Sequence, residues 1–193
     1  MENGYLSQYF ESVAVKRLSA VEANPASSHQ HELNGVKDLK QMLGEVGGGK
    51  RYFDAHFLYL NDFDEEAVSD EGVVTWYDAR AKSTERTGRS EYRLYFPTTS
   101  VSECASEGDL LIIGKLPTGK LLVIVAENES TIASQLQWLF GVSSGSHPGF
   151  SVMSEMETGQ VRVEFAARTV LEAIGFEVAA KDETYLEAML GLF

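Results

Sequence analysis

The densest group of chemically useful side chains in the chain lies in the sequence RAKSTERTGRSEYR, which runs from Arg80 to Arg93. These fourteen positions hold five of the sixteen basic residues against two acids; the five are Arg80, Lys82, Arg86, Arg89 and Arg93. Four are arginines, whose planar guanidinium matches a phosphate or the O6/N7 edge of guanine. The segment therefore predicts a loop that binds an anion. Nucleic acid is the anion that most needs several such contacts.

The charge of the whole chain restricts this prediction to a local surface. The net charge of the 193 residues is −13, so a protein that coats nucleic acid indiscriminately is excluded. The first 93 residues contain eleven basic residues and the remaining hundred contain five, so a nucleic-acid face belongs in the first half. Apolar content of 44% and charged content of 23% are typical of a globular protein.

The sequences beside the basic loop predict strands that present polar rows. On an alternating strand, Arg89, Glu91 and Arg93 would share one face. Asp78 and Arg80 would share a face in the same way, with Tyr77 opposite, and so would Arg17 and Ser19. Acids within a basic loop weaken phosphate attraction, so Asp78 and Glu91 are better explained by reading cytosine amino groups or by orienting arginines. An ordinary surface ion pair between Glu91 and Arg93 is the plain alternative.

The remaining patterns predict a mainly β domain with several short strands and three or four helices, without βαβ alternation. Helices are expected near the N-terminus and at 36–43 and 129–141, and strands at 13–18, 51–61, 71–80 and 91–97. The clearest element is a β-hairpin at 109–128. A further strand and helix are expected across 160–175, and polar loops at 19–35 and 61–72. Trp76, Trp138 and Phe140 are expected in the core.

Motifs for catalysis are weak. Gly44–Lys50 and Gly114–Lys120 match the first part of a phosphate-binding P-loop but lack the Ser or Thr that follows, and both are interpreted as turns. His29 and His31 are two residues apart rather than four, so they do not form a zincin motif. Asp38 and Lys40 have nuclease-like spacing but belong to a predicted helix. No catalytic residue, metal or cofactor is expected, which favours a binding module.

Two segments, taken in order, resemble a known family. The first is Lys16-Arg17-Leu18-Ser19-Ala20 followed by His29-Gln30, and the second is Tyr77-Asp78-Ala79-Arg80 followed by the basic loop and Arg89-x-Glu91-x-Arg93. This order resembles the N-terminal effector domain of EcoRII-type (type IIE) restriction endonucleases, over about residues 5 to 175. The resemblance implies a seven-stranded open pseudobarrel, like the plant B-three DNA-binding domain, with short flanking helices.

The resemblance also implies a function. Such a domain binds double-stranded DNA of a CCWGG-type site in the major groove through two arms, and regulates a catalytic domain that follows it. The first arm would be 16–30 and the second 77–93. The implied DNA-binding residues are Lys16, Arg17, Ser19, Ser28, His29, Gln30, Tyr77, Asp78, Arg80, Lys82, Arg86, Arg89, Glu91 and Arg93. Lys16, Lys82 and Arg86 are interpreted as phosphate contacts.

The expected organisation is an effector domain over 1–176, followed at 177–193 by a linker and the start of a C-terminal nuclease domain. The chain would be monomeric, cytoplasmic and bacterial, would contact no membrane, and would not itself cut DNA. A single cysteine, Cys104, fits a reducing compartment. The chain departs from the family at two places. Residues 25–28, which precede the His-Gln pair, are not glycine-rich, and Thr87 stands where the family has a lysine in the second arm. Both departures concern the details of base contacts.

Two other functions stay open at this point. One is a metal-dependent hydrolase that uses His29 and His31, and the other is a module that docks an acidic protein through the arginine loop. The hydrolase predicts tight metal binding, the docking module predicts binding that does not depend on base sequence, and the DNA-binding hypothesis predicts discrimination between base sequences.

Overall fold

The computed structural model describes residues 5–23, 32–34, 37–64, 66–81, 90–142 and 156–176. A 3₁₀ turn at Tyr5–Tyr9 precedes the first strand. The strands are β1 (Ser12–Arg17), β2 (Glu32–Asn34), β3 (Lys50–Leu60), β4 (Val68–Asp78), β5 (Tyr92–Tyr95), β6 (Leu110–Lys115) and β7 (Leu121–Ala126). The helices are α1 (Ala20–Ala23), α2 (Lys37–Leu43), α3 (Ser100–Cys104), α4 (Thr131–Phe140) and α5 (Met156–Ala173).

All seven strands belong to one sheet, in the order β1-β6-β7-β3-β4-β5-β2. The sheet is strongly curled into a half-barrel, so the molecule is an α+β structure of the predicted pseudobarrel type. Neighbouring strands are antiparallel except β3 and β7, which run parallel with Ala55 opposite Leu121. β1 and β2 therefore form the two edges, although the connection between them is short in sequence.

Apolar side chains are buried on both faces of the central strands. In β7, Leu121, Val123 and Val125 point into the half-barrel, whereas Leu122, Ile124 and Ala126 pack outward with α4 and α5. Burial on both faces explains why the hairpin strands LLIIGK and LLVIVA are continuously apolar instead of alternating. Helix α4 is capped by Ser130, whose hydroxyl accepts from the Ala133 amide, and ends at Gly141 in the left-handed region.

Helix α2 packs into the half-barrel. Leu39 and Leu43 are buried in the inner core beside Trp76, which is fully buried and stacks on Tyr92 with ring centroids 5.0 Å apart. The Trp76 indole Nε1 donates to the carbonyl of Gly44, the residue directly after α2, at 2.8 Å. These contacts fix the turn after α2 against the end of the sheet where β4 and β5 meet.

Most predicted elements are confirmed, including the long strand at 50–60, the hairpin, α2 and α4. Gly44–Lys50 and Gly114–Lys120 contain turns, and Asp38 and Lys40 lie on α2, as expected. Trp76 and Phe140 are buried, but the prediction for Trp138 was wrong, since 39% of it is exposed on α4.

Other differences have tertiary causes. The predicted strand within 160–175 is part of the single helix α5, because Ala166, Ala167 and Val170 pack at helical spacing on the outer core. Strand β2 lies inside the predicted polar loop, since its three residues gain strand structure by pairing with β5. Helices α1 and α3 were not predicted, and β4 begins at Val68, within the predicted acidic connection. Among the described residues, no helix has the length and apolar character needed to cross a membrane.

Gly114 on β6 allows the Phe10 ring to lie directly against the backbone of the sheet. A Cβ at this position would lie 2.5 Å from Cδ1 of Phe10, which itself packs on Phe140. We expect Gly114→Ala to lower the free energy of unfolding by about 1–3 kcal/mol, because the buried ring must move. Urea denaturation measures this. In the Phe10→Leu background the same substitution should cost less, and equal losses in both backgrounds would contradict the proposed clash.

Candidate nucleic-acid interface

The ends of three neighbouring strands place several predicted site residues together. Tyr77 on β4 is directly opposite Arg93 on β5, and β2 pairs with the other side of β5. Strand alternation puts the Tyr77 and Arg93 side chains on the outer face, because Trp76, Tyr92 and Leu94 point into the core. This polar group lies directly beside the two ends of the basic loop.

Arg93 is held between two carboxylates. Its Nη1 donates to Glu32 Oε2 at 2.6 Å, and its Nη2 and Nε donate to Glu91 Oε1 at 2.5 and 3.1 Å. The hydrogen bonds to Glu91 and then to Glu32 raise the pKa of the Arg93 guanidinium above its usual value. The predicted pairing of Glu91 and Arg93 on one face is confirmed, and Glu32 is a third member.

Glu91 joins Arg93 to Arg80. Its second oxygen forms an ion pair with Arg80 Nε across the base of the loop. The Arg93 hydrogen bond lowers the pKa of the Glu91 carboxyl; desolvation opposes this, and the charges of Arg80 and Arg93 lower the pKa further, so that the net direction is downward. Glu91 therefore stays ionised and orients two arginines, which is one of the two roles predicted for it.

The buried carboxylate of Asp78 connects the two ends of the basic loop. Its side chain lies on the same face as buried Trp76, and 8% of the residue is exposed. The Oδ1 atom accepts hydrogen bonds from the backbone amides of Arg80 at 2.9 Å and Glu91 at 2.8 Å. The predicted outer row of Asp78 and Arg80 was therefore wrong, because the strand ends at Asp78 with Tyr77 on the outer face. These bonds favour a structural role for Asp78 over cytosine reading.

Lys16 and Ser19 surround a second buried carboxylate. Glu22 on α1 is 5% exposed; it pairs with Lys16 Nζ at 2.5 Å and accepts from the Ser19 hydroxyl at 2.8 Å and amide at 3.0 Å. Burial alone would raise the pKa of Glu22, but the hydrogen bonds from Lys16 and Ser19 outweigh it and leave the pKa lowered. Lys16 thus neutralises an internal charge, which reduces its value as a phosphate contact.

Arg17 is exposed at the end of β1. Its Nη1 donates to the Gly108 carbonyl and to Asn128 Oδ1, both at 3.2 Å. Both acceptors are uncharged, so the positive charge of Arg17 remains available to an anion. Ser19 is also exposed, with buried Leu18 between the two, as the predicted alternation required.

The bases of the two predicted arms approach the same part of the interior. Leu18 and Glu22 from the first arm line a cavity of about 30 Å³ together with Leu33 on β2 and Leu94 on β5. The cavity is small and its lining is mostly apolar. It nevertheless shows that chain segments from both arm bases meet inside the half-barrel.

The predicted site residues outside the described part of the chain are Ser28, His29, Gln30, Lys82, Arg86 and Arg89. His31, proposed with His29 as a metal ligand, lies there too. Within the described ranges, no three His, Cys, Asp or Glu side chains are grouped so that they could hold a metal ion.

Two residues of the site were not identified from the sequence. Glu32 was interpreted as part of a polar loop, and Lys50 as the end of a turn. Lys50 is exposed at the start of β3, opposite Tyr77, and its Nζ lies 5.4 Å from the centre of the Tyr77 ring. Strand register alone brings both residues to Tyr77 and Arg93, so no local sequence signal marks them.

Comparison with protein-family models, with curated proteins and with solved structures finds no match to this chain.

The ion pair between Lys16 and Glu22 gives a test of the first arm base. We expect Lys16→Met to lower the free energy of unfolding at pH 7 by about 1–3 kcal/mol, because a buried carboxylate loses its charged partner. Since the folded pKa of Glu22 lies below its ordinary value of 4.5, the stabilisation is present above that pH and is lost as the pH falls through the folded pKa. Urea denaturation at several pH values measures both effects.

Lys115→Met is the matched control, because Lys115 pairs at 2.8 Å with Glu11, whose side chain is largely exposed. It should cost less than about 1 kcal/mol. Equal losses for the two lysine variants would contradict the special role of Lys16.

Proposed function

We propose that this chain is a sequence-specific double-stranded DNA-binding domain that reads a CCWGG-type site in the major groove. The proposal extends to its role as the non-catalytic effector domain of a type II restriction endonuclease, linked to a nuclease domain. The observation that carries it is the position of the two segments named by the family resemblance. Both begin and end at strands of one half-barrel. The base of the second segment holds Arg80, Glu91 and Arg93 in one hydrogen-bonded group, and Glu32, which follows the first segment, joins this group to Tyr77.

The chemistry of this group supports base recognition. Bidentate reading of guanine requires a guanidinium in a fixed orientation, and Glu91 supplies this for both Arg80 and Arg93. Because these arginines are already neutralised by carboxylates, they attract phosphates less than free arginines would. The arrangement therefore favours selectivity over general affinity, which agrees with a net charge of −13.

Phosphate contacts are assigned to other cations. Exposed Arg17 and Lys50 lie at the ends of β1 and β3, and Lys82 and Arg86 belong to the basic loop by sequence. In protein–DNA interfaces, some side chains usually contact the bases and give specificity, while others contact the phosphates and fix the position of the protein. Such an interface requires no metal and no bond cleavage by this chain.

Fluorescence anisotropy on a CCWGG duplex and on a scrambled duplex, at physiological salt without magnesium, tests the proposal directly. We expect the CCWGG duplex to bind at least about tenfold more tightly, since each mismatched base pair costs about 1–3 kcal/mol in specific complexes. Equal weak binding would leave a DNA-binding module with another target. Absence of binding to either duplex would overturn the proposal and favour docking of an acidic protein through the loop.

Substitution of single cations separates the two kinds of contact. Arg80→Ala should reduce the preference for the CCWGG duplex, because a base-reading guanidinium and the ion pair with Glu91 are lost together. Lys82→Ala should weaken both duplexes alike and reduce the slope of log K against log salt by about one unit. Lys120→Ala, on the exposed turn between β6 and β7, is the control and should change neither quantity. Unchanged binding in both arm variants would show that the DNA-binding face is elsewhere.

A further inference from the structure

The carboxylate of Glu32 connects the strands from which the two predicted arms extend. Glu32 is the first residue of β2 and follows the end of the first predicted arm, 16–30, by two positions in the chain. Its Oε2 accepts from Arg93 on β5 at 2.6 Å, and its Oε1 accepts from the Tyr77 hydroxyl on β4. β4 and β5 are the strands that flank the second arm.

Burial makes these contacts strong. The Glu32 side chain is 9% exposed, compared with 32% for Arg93. A carboxylate with so little access to water is stable when its oxygens are paired, and loss of a partner leaves a costly unpaired group. Both oxygens are engaged within the protein, so Glu32 is poorly placed to read a base itself.

The backbone pairing of β2 is limited. It is an edge strand of three residues, and its register with β5 spans Glu32 opposite Tyr95 to Asn34 opposite Arg93. So short a strand has few ladder hydrogen bonds to fix its position. The two side-chain contacts of Glu32 join β2 to Arg93 on β5 and to Tyr77 on β4. The backbone hydrogen bonds of β2 join it to β5 alone.

We propose that Glu32 is a positioning residue that fixes the first DNA-binding arm relative to the second and thereby sets the sequence discrimination of the interface. This inference rests on the proposed DNA-binding function. Glu32 acts through Arg93 and Tyr77: it holds the Arg93 guanidinium from the side opposite Glu91, so that the fork of Arg93 has one orientation.

The test compares Glu32→Gln with the unmodified protein on the CCWGG and scrambled duplexes. Glutamine keeps the volume but loses the charge and one acceptor oxygen, so the ion pair with Arg93 is lost and the Tyr77 hydroxyl loses its carboxylate acceptor. We expect the ratio of the two affinities to fall about tenfold while affinity for the scrambled duplex changes by less than about twofold, since phosphate contacts are kept. Glu11→Gln, which removes another strand-end ion pair, with Lys115, is the matched control and should leave the ratio unchanged.

A second measurement reports on the contact without DNA. Burial, followed by the hydrogen bond to Glu32, raises the pKa of the Tyr77 phenol to about 12. In Glu32→Gln the pKa of Tyr77 should fall toward its ordinary value, whereas the pKa of Tyr59, raised to about 12 mainly by burial, should stay. Titration of Cζ-labelled tyrosine by ¹³C NMR measures both, with Tyr77→Phe used to assign the resonance.

The outcomes separate the two proposals. A lowered pKa of Tyr77 with an unchanged affinity ratio would overturn the positioning role and leave the DNA-binding function intact. No preference of the unmodified protein for the CCWGG duplex would overturn the function, and this inference with it. If Glu32→Gln does not fold, Tyr77→Phe removes one contact and keeps the ion pair; it should lower the ratio by about threefold, and an unchanged ratio would again contradict the role.

Discussion

The guanidinium of Arg93 lies between the carboxylates of Glu32 and Glu91, and the candidate interface depends on this arrangement. A planar cation with several donors can satisfy two acids at once, and here the acids come from β2 and from the end of the basic loop. Glu91 in turn holds Arg80. The orientation of Arg80 and Arg93 is therefore determined by Glu91, within the basic segment itself, together with Glu32 on the distant strand β2.

The half-barrel makes this arrangement possible because it separates an inner from an outer face. Trp76, Tyr92 and Leu94 fill the interior at the end of β4 and β5, with α2 packed on them, and this rigid core turns Tyr77 and Arg93 outward. Asp78 is the exception, since its carboxylate turns inward and binds the amides of Arg80 and Glu91. These hydrogen bonds thus join the two ends of the basic segment beside β4 and β5.

Four acidic side chains near the predicted arm bases are engaged within the protein. Glu22, Glu32, Asp78 and Glu91 are not surface charges that repel a nucleic acid; each is engaged with a cation or with backbone amides near the arm bases. Lys16 is correspondingly occupied with Glu22. Cations that are not paired with a carboxylate, such as Arg17 and Lys50, are the ones available to an anion. They are fewer than the number of basic residues in the first half suggests.

The sequence by itself determined the β-rich class, the hairpin of β6 and β7, the helix α4 and the location of the basic loop, because these depend on local periodicity, capping and charge density. The alternation that joins Glu91 to Arg93 was also predictable. The tertiary structure decided the inward direction of Asp78, the pairing of Lys16 with Glu22, and the roles of Glu32 and Lys50. The first two depend on how a strand end and a short helix pack against the sheet. The roles of Glu32 and Lys50 follow from strand register between residues distant in the chain, such as Glu32 and Arg93, and no local pattern encodes such a contact.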